Sequence, residues 1–311
     1  MDIATTALEA TVSTWQERVG RPALRSSRLV FGLCAAFAAP LHALAGLQPV
    51  AFHLYGPTAW RRDTYQGEAP LHLASCLYGS MSQVQFWENI ARDPVRASLV
   101  PDDGLLLGIE FTSARLLDVS RAAALLWAEK PGTYPCTLRR DAITLSSGDK
   151  LLDQQSLQLV DASGKIRWFN IPADAGAGNG IFDQVAGEAD AAMITCAAAQ
   201  SNGQVGLAWL RYLNEASRGV VAEWKAKDAA LDESRSGPFD AVTWRDPHTG
   251  LDSDEITECF GRLGDAGELA TEQGLTGWPA GAAQLAVFMC MTATLNAGVD
   301  RVRVMSPRSI A

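Results

Sequence analysis

The residues with the clearest chemical potential lie between positions 50 and 79, where a short apolar strand is predicted to run through a glycine into a helix. The strand Val50–Tyr55 ends at Gly56, and residues 71–78 have the composition of a helix. A loop of this layout binds phosphate groups when it carries G-x-x-x-x-G-K-[ST]. Its backbone amides then hold the phosphates, while the lysine and the hydroxyl group serve the outer phosphates and magnesium. The segment therefore has the layout of a nucleotide-binding loop.

The connector between this strand and this helix departs from that pattern. Residues 57–70 contain no lysine. Glu68 and Pro70 lie where the loop should open into the helix, so a negative charge and a missing amide replace two features that a triphosphate needs. The layout of an ATPase is kept, whereas its phosphate chemistry is lost.

Four residues remain as candidates for nucleotide contact in this loop: Gly56, Arg61, Arg62 and Thr64. The guanidinium groups of Arg61 and Arg62 suit phosphate oxygens. Two interpretations are open for this pair. The arginines either replace the lysine or form a solvated pair on an insertion.

Composition sets limits on compartment and partners. The chain has 311 residues, 48% of them hydrophobic and 20% charged, as in ordinary soluble globular proteins. Its net charge of -9 argues against a generally basic surface for nucleic acid, although a local basic patch is compatible with it. Six widely spaced cysteines without a C-x-x-C pair predict buried thiols in a reducing, cytoplasmic compartment. Four histidines, none four residues from another, predict no metal site.

Residues 29–47 carry no formal charge over 19 positions, which is near the length of a membrane span. Their apolarity comes mostly from Ala and Gly, and Pro40 and His42 lie in the second half. We therefore expect a buried core helix and no membrane association, with a membrane helix as the alternative.

Alternating strands and helices predict an α/β fold with a parallel sheet flanked by helices. The predicted strands are 50–55, 104–109, 142–146 and 166–171. Helices are predicted at 8–19, 71–78, 83–91, 114–129, 189–199, 205–216, 220–231, 255–274 and 279–298. We expect a lead-in helix in 1–28, a core in 29–217, and a helical region in 218–311 with a long polar loop around 232–254.

Six groups of residues, in order along the chain, resemble the motifs of one family. They are 28–33 with 38–41, 52–56, 71–75, 145–149, Arg167 with 171–174, and 266–270 with 274–281. In this respect the chain resembles the helicase-like domain of unknown function 927, whose members are described as superfamily II helicases and inactivated derivatives of phages and mobile elements. The resemblance implies a P-loop ATPase core of the ring-forming helicase type.

Members of that family keep the lysine motif after the first strand and an Asp-Glu pair at the end of the next apolar strand. Here Ile109 stands where the aspartate is expected, so both motifs are degenerate. The resemblance leaves Glu110 as a remnant of the carboxylate that activates water.

Further candidates follow from the resemblance, each with an alternative. Ser146 and Ser147 match a polar sensor at a strand end, or are two serines in a turn. Arg167 matches an arginine that reaches a neighbouring subunit's phosphate, or is an outward-facing strand residue. Arg139 and Arg140 contact nucleic acid in a ring channel, or are a solvated pair.

Together these observations predict a helicase- or ATPase-derived protein of a mobile element or defence island. We expect it to be inactive in ATP hydrolysis, to need no cofactor, and to act as a protein- or nucleic-acid-binding module, with a protein partner or a homo-oligomer. The alternative is a slow or atypical NTPase that uses ATP and Mg²⁺, with Arg61 or Arg62 in place of the lysine.

Overall fold

A parallel sheet of five strands organises the part of the chain that the structure describes. The structure is a computed structural model and describes residues 10–47, 50–56, 67–79, 85–86, 105–109, 143–148, 151, 167–176, 178–184, 188–201, 203–236 and 253–305. The strands are β1 (Val50–Tyr55), β2 (Gln85–Phe86), β3 (Leu105–Ile109), β4 (Ile143–Gly148) and β5 (Arg167–Pro172). Their order is β2-β3-β4-β1-β5, and all neighbours are parallel. The predicted parallel sheet is therefore present.

Several predicted features fall on residues outside the described ranges. These are the helix at 114–129 and six site candidates, Arg61, Arg62, Thr64, Glu110, Arg139 and Arg140.

The helix predicted at 83–91 is wrong at Gln85 and Phe86, which form β2 and pair with β3. A strand of two residues is too short to produce an alternating pattern in the sequence. Its pairing with β3 is set by the tertiary structure.

Helices pack against this sheet and against one another. They are α1 (residues 10–23, with a π-helical part Gln16–Gly20), α2 (Ser27–Ala45), α3 (Ala69–Leu77), α4 (Glu188–Ala199), α5 (Gln204–Ser236), α6 (Ser253–Glu272) and α7 (Ala282–Met305). Phe52 of β1 joins sheet and helices, because its ring centroid lies 5.2 Å from Phe31 of α2, 5.4 Å from Phe169 of β5 and 5.2 Å from Phe260 of α6. Such edge-to-face and stacked contacts stabilise a core beyond the burial of area alone.

Helix α2 contains most of the uncharged segment 29–47, for which a buried core helix and a membrane helix were the two alternatives. It begins where the Ser26 hydroxyl accepts a hydrogen bond from the Leu29 amide (3.1 Å) and ends at Gly46, whose φ of 63° suits glycine. Within the described residues it is the helix long and apolar enough to cross a membrane, and 89% of its apolar window is buried inside the protein. This burial agrees with the expectation of a core helix.

The two helices predicted at 205–216 and 220–231 are one helix, α5. Gly219 interrupts the sequence pattern, but it lies in open space and is tolerated inside the helix. The domain boundary predicted between 217 and 218 falls inside α5, so the structure shows no break at that point.

Candidate functional site

The strand order itself marks the place where a ligand crevice would form. Strand β1 lies between β4 and β5. In the strand order, the connection from β1 leads to β2 at one edge of the sheet, whereas the connection from β4 leads to β5 at the opposite edge. In open α/β sheets, ligands bind outside the carboxyl ends of strands where connections diverge in this way. The candidate site is therefore the carboxyl edge of β1 and β4.

Gly56 directly follows the carboxyl end of β1. Its amide donates to the Gly148 carbonyl (3.1 Å), and the Ala173 amide donates to the Tyr55 carbonyl (2.8 Å), so pairing continues past the strand ends. Gly56 has a φ of 153°, and a Cβ there would meet no atom within 4 Å. The backbone conformation, and not crowding, makes glycine the suitable residue.

Ser146 and Ser147 both belong to β4 and point to opposite faces of the sheet. The Ser146 hydroxyl lies 2.7 Å from Nδ1 of His53, and both side chains are fully buried. The Ser147 hydroxyl is buried next to Leu54 and has no hydrogen-bond partner among the described residues. The interpretation as two serines in a turn is therefore wrong.

The pairing of Ser146 with His53 was missed in the sequence. The available signal was a histidine inside an apolar strand, VAFHLY, which implies a buried polar partner. The position of that partner, 93 residues away, follows only from the register of β1 and β4.

The first turn of α3 has the features expected from the sequence. Glu68 occupies the N-cap position without a side-chain capping bond, and Pro70 lies in the first turn. Burial raises the pKa of Glu68 and lowers the pKa of His72, whose Nε2 lies 3.8 Å from the Glu68 carboxylate. A Cβ on Gly32 would lie 2.7 Å from the Pro70 carbonyl, so this turn is pressed against α2.

Arg167 does not lie at the carboxyl edge. It is in register with Val50, at the amino end of β5, five positions or about 17 Å from the level of Tyr55. Its guanidinium donates to Glu255 (2.8 Å) and Asp228 (3.2 Å), and the residue is 4% exposed. Arg167 is therefore not an outward-facing strand residue, and its guanidinium, buried in ion pairs, is not exposed to reach a neighbouring subunit's phosphate.

A second arginine completes this buried ion cluster. Arg262 donates to Asp228 (3.2 Å) and to Glu258 (2.9 Å). The cluster joins β5 to α5 and α6. The sequence signal for it was limited to the Glu258–Arg262 pair at i,i+4 on one helix.

Other residues of the six groups singled out in the sequence stabilise the fold. The Arg28 side chain donates from Nε and Nη2 to the Pro172 carbonyl (3.1 and 3.0 Å), and from Nη2 to the Asp174 carbonyl (3.1 Å). Arg28 is 3% exposed. It therefore fixes the turn after β5 to the start of α2.

The motif near the C-terminus has a similar structural role. Glu268 accepts hydrogen bonds from the amides of Gly281 (2.8 Å) and Ala283 (2.8 Å) and so caps α7. Trp278 Nε1 donates to the Gly20 carbonyl (2.8 Å) and fastens the α6–α7 turn to α1. Within the described ranges, no group of three or more His, Cys, Asp or Glu residues could hold a metal ion.

The comparisons with known proteins concern the fold. The sequence matches no protein-family profile and no curated protein. Among solved structures, it is similar to one described as "SCCmec type IV Cch - active helicase", with a TM-score of 0.52 and 12% sequence identity. The fold is helicase-like. The match covers 90% of this chain and 48% of that chain, so the helicase-like fold spans about half the length of its structural neighbour.

Proposed function

We propose that this chain is a helicase- or ATPase-derived protein of a mobile element or defence island that does not hydrolyse ATP. It has a P-loop-type core and acts as a protein- or nucleic-acid-binding module. The helicase-like fold supports the first part, as does the strand order with β1 between β4 and β5. The neighbour described as an SCCmec helicase supports an origin in a mobile element.

The start of α3 carries the proposal of inactivity. A phosphate-binding helix offers free amides and a nearby lysine. Here the N-cap is Glu68, the first turn contains Pro70, and residues 57–70 contain no lysine. Loss of one preorganised charge partner costs on the order of 3 kcal/mol, which is about 150-fold in affinity. The Glu68 carboxylate adds repulsion toward a triphosphate.

Titration with a fluorescent ATP analogue and Mg²⁺ up to millimolar concentration tests this proposal, together with a hydrolysis assay. We expect no saturation in the micromolar range and no turnover. Saturable micromolar binding with turnover, both weakened in an Arg61→Ala, Arg62→Ala variant, would overturn it and establish a slow NTPase. An Arg211→Ala, Arg218→Ala variant, which removes two exposed arginines of α5, is the control for loss of charge.

The binding role is tested by fluorescence anisotropy with single-stranded and duplex oligonucleotides and by light scattering. Because the net charge is -9, nucleic-acid binding requires a local basic patch, and an Arg139→Ala, Arg140→Ala variant tests the predicted pair. Light scattering with ATP tests the homo-oligomer. A monomer at high protein concentration would exclude the ring and leave a different protein as the partner.

A further inference from the structure

A groove lined by apolar and charged residues lies between α1 and α4, and it does not include the carboxyl ends of β1 and β4. Two cavities of about 260 and 530 Å³ lie there and share Arg18 and Ala197 in their walls. On α1 the lining extends from Ala10 to Pro22, which is 12 positions or about 18 Å of helix, and Arg25 continues it beyond the end of α1. The groove is therefore about as long as three turns of a partner helix.

The larger cavity is mainly apolar. Pro22, Met193, Ile194 and Ala197 line it, and Met193 is 61% exposed. A methionine side chain is flexible and polarizable, so it adapts to the shape of an apolar partner. An apolar centre with a polar rim is the usual anatomy of a protein interface.

Among the charged residues that line this groove, the one outside an ion pair is positive. Arg25 and Asp190 neutralise each other through two hydrogen bonds of 2.9 and 3.2 Å. Arg18 is exposed and makes no ion pair with any described residue. This local charge is opposite to the net charge of -9 and selects an acidic partner.

The wall that carries Arg18 is held in an unusual conformation. Residues Gln16–Gly20 form a π-helical turn, a rare feature that is frequent at functional sites. Trp278 anchors this turn through its hydrogen bond to the Gly20 carbonyl, and Gly20 packs so closely on the Thr276 carbonyl that a Cβ would not fit. The groove is therefore preformed, which lowers the cost of binding.

We propose that this groove binds an acidic amphipathic helix of a partner protein. Apolar side chains of that helix pack on Met193 and Ile194, and a carboxylate pairs with Arg18, in the helix-in-groove mode of recognition. The inference rests on the proposed binding role and gives it a surface and a class of partner. It does not depend on the nucleotide site, because peptide binding is measured without nucleotide.

Selection from a displayed library of 16-residue helical peptides against the full chain tests the proposal. We expect the selected peptides to combine Asp or Glu with large apolar residues at i and i+4. A labelled selected peptide should bind at least tenfold more weakly to the Arg18→Glu and Met193→Lys variants. The Arg218→Glu and Leu285→Lys variants are matched controls, since Leu285 is also 61% exposed, and they should change affinity less than twofold.

Cys196 gives a second readout, because it lines the larger cavity and is exposed, whereas the other described cysteines are buried. Bound peptide should slow alkylation of Cys196, measured by mass spectrometry, at least fivefold. The proposal is overturned if selected peptides are basic, or if their affinity is unchanged in both the Arg18→Glu and the Met193→Lys variants. It is also overturned if single-stranded oligonucleotides bind through Arg18 but independently of Met193, which would make the site a nucleic-acid contact.

Discussion

At the scale of the residue, Arg167 was a candidate functional residue, and the structure gives it a role in stabilising the fold. Its sequence position suggested a phosphate contact, yet its guanidinium lies between Glu255 and Asp228 in a buried cluster. These partners are 88 and 61 residues away, so no local pattern could reveal them. Residue type predicted that the group would bind an anion. Which anion it binds depends on the packing of β5 against α5 and α6.

Arg167→Met should lower the free energy of unfolding by about 3–5 kcal/mol, because it breaks the ion pair of the buried Glu255 carboxylate and removes one of the two arginine partners of Asp228. Urea unfolding at pH 7.5 measures the loss. Arg218→Met, at an exposed site, is the control and should change stability by less than about 0.5 kcal/mol. Adding Glu255→Leu to Arg167→Met should recover part of the loss, since a buried charge is removed. A loss below about 1 kcal/mol would contradict the role of the cluster.

His72 provides a pH-dependent prediction. Burial lowers its pKa in the folded protein below the ordinary value of 6.5, and its Nδ1 has no hydrogen-bond partner among the described residues. The folded state therefore favours the neutral ring. This contribution to stability is complete above pH 6.5 and is lost as the pH falls through the folded pKa.

The variant His72→Gln cannot gain this charge, so its stability should fall less than that of the wild type between pH 7.5 and pH 5. Urea unfolding at pH 7.5, 6.5, 5.8 and 5.0 checks this, and the difference between the two proteins removes the effect of titrating groups that do not contact His72. Parallel pH profiles for the two proteins would show that His72 titrates equally in the folded and unfolded states.

At the scale of the element, α2 shows how a proline is accommodated inside a buried helix. Pro40 has no amide hydrogen, so the carbonyl of Ala36, four residues earlier, loses its helical donor. The Tyr78 hydroxyl donates to this carbonyl at 2.9 Å. Pro40, which argued from sequence against a membrane span, removes one helical donor. Tyr78, the residue that follows α3, supplies a donor in its place.

Tyr78→Phe should cost about 1 kcal/mol, because the buried carbonyl loses its donor. In a Pro40→Ala background, where the helix supplies its own amide, the same change should cost clearly less. A double-mutant cycle in urea measures this coupling. Equal costs in both backgrounds would mean that Tyr78 acts through packing alone.

The elements differ in how far sequence could predict them. The strands β3, β4 and β5 agree with the predicted strands within two residues, because apolar runs between turn residues mark buried strands. β2 could not be predicted, since Gln85 and Phe86 are strand residues only through their pairing with β3. The continuity of α5 was hidden by Gly219, a usual helix breaker, whose cost of about 1 kcal/mol is tolerated in a helix of 33 residues.

At the scale of the whole molecule, the C-terminal helices belong to the same core as the sheet. Phe260 of α6 lies 5.2 Å from both Phe52 and Phe169, and Gly267 packs against Cys34 of α2. The candidate site was likewise predictable only in part. Glu68 and Pro70 could be placed at the start of a helix, whereas the separation of Arg167 from that edge depends on strand register.

A shared core predicts that destabilisation at one end spreads through the molecule. Phe260→Leu removes ring contacts to β1, β5 and α2 and should lower the free energy of unfolding by about 1–2 kcal/mol. If the sheet and the C-terminal helices open as one cooperative unit, hydrogen exchange should lose the same amount of protection in β1, β5, α6 and α7. Leu285→Ala, at an exposed position of α7, is the control and should leave protection unchanged. A loss confined to α6 and α7 would instead mean that these helices unfold independently of the sheet.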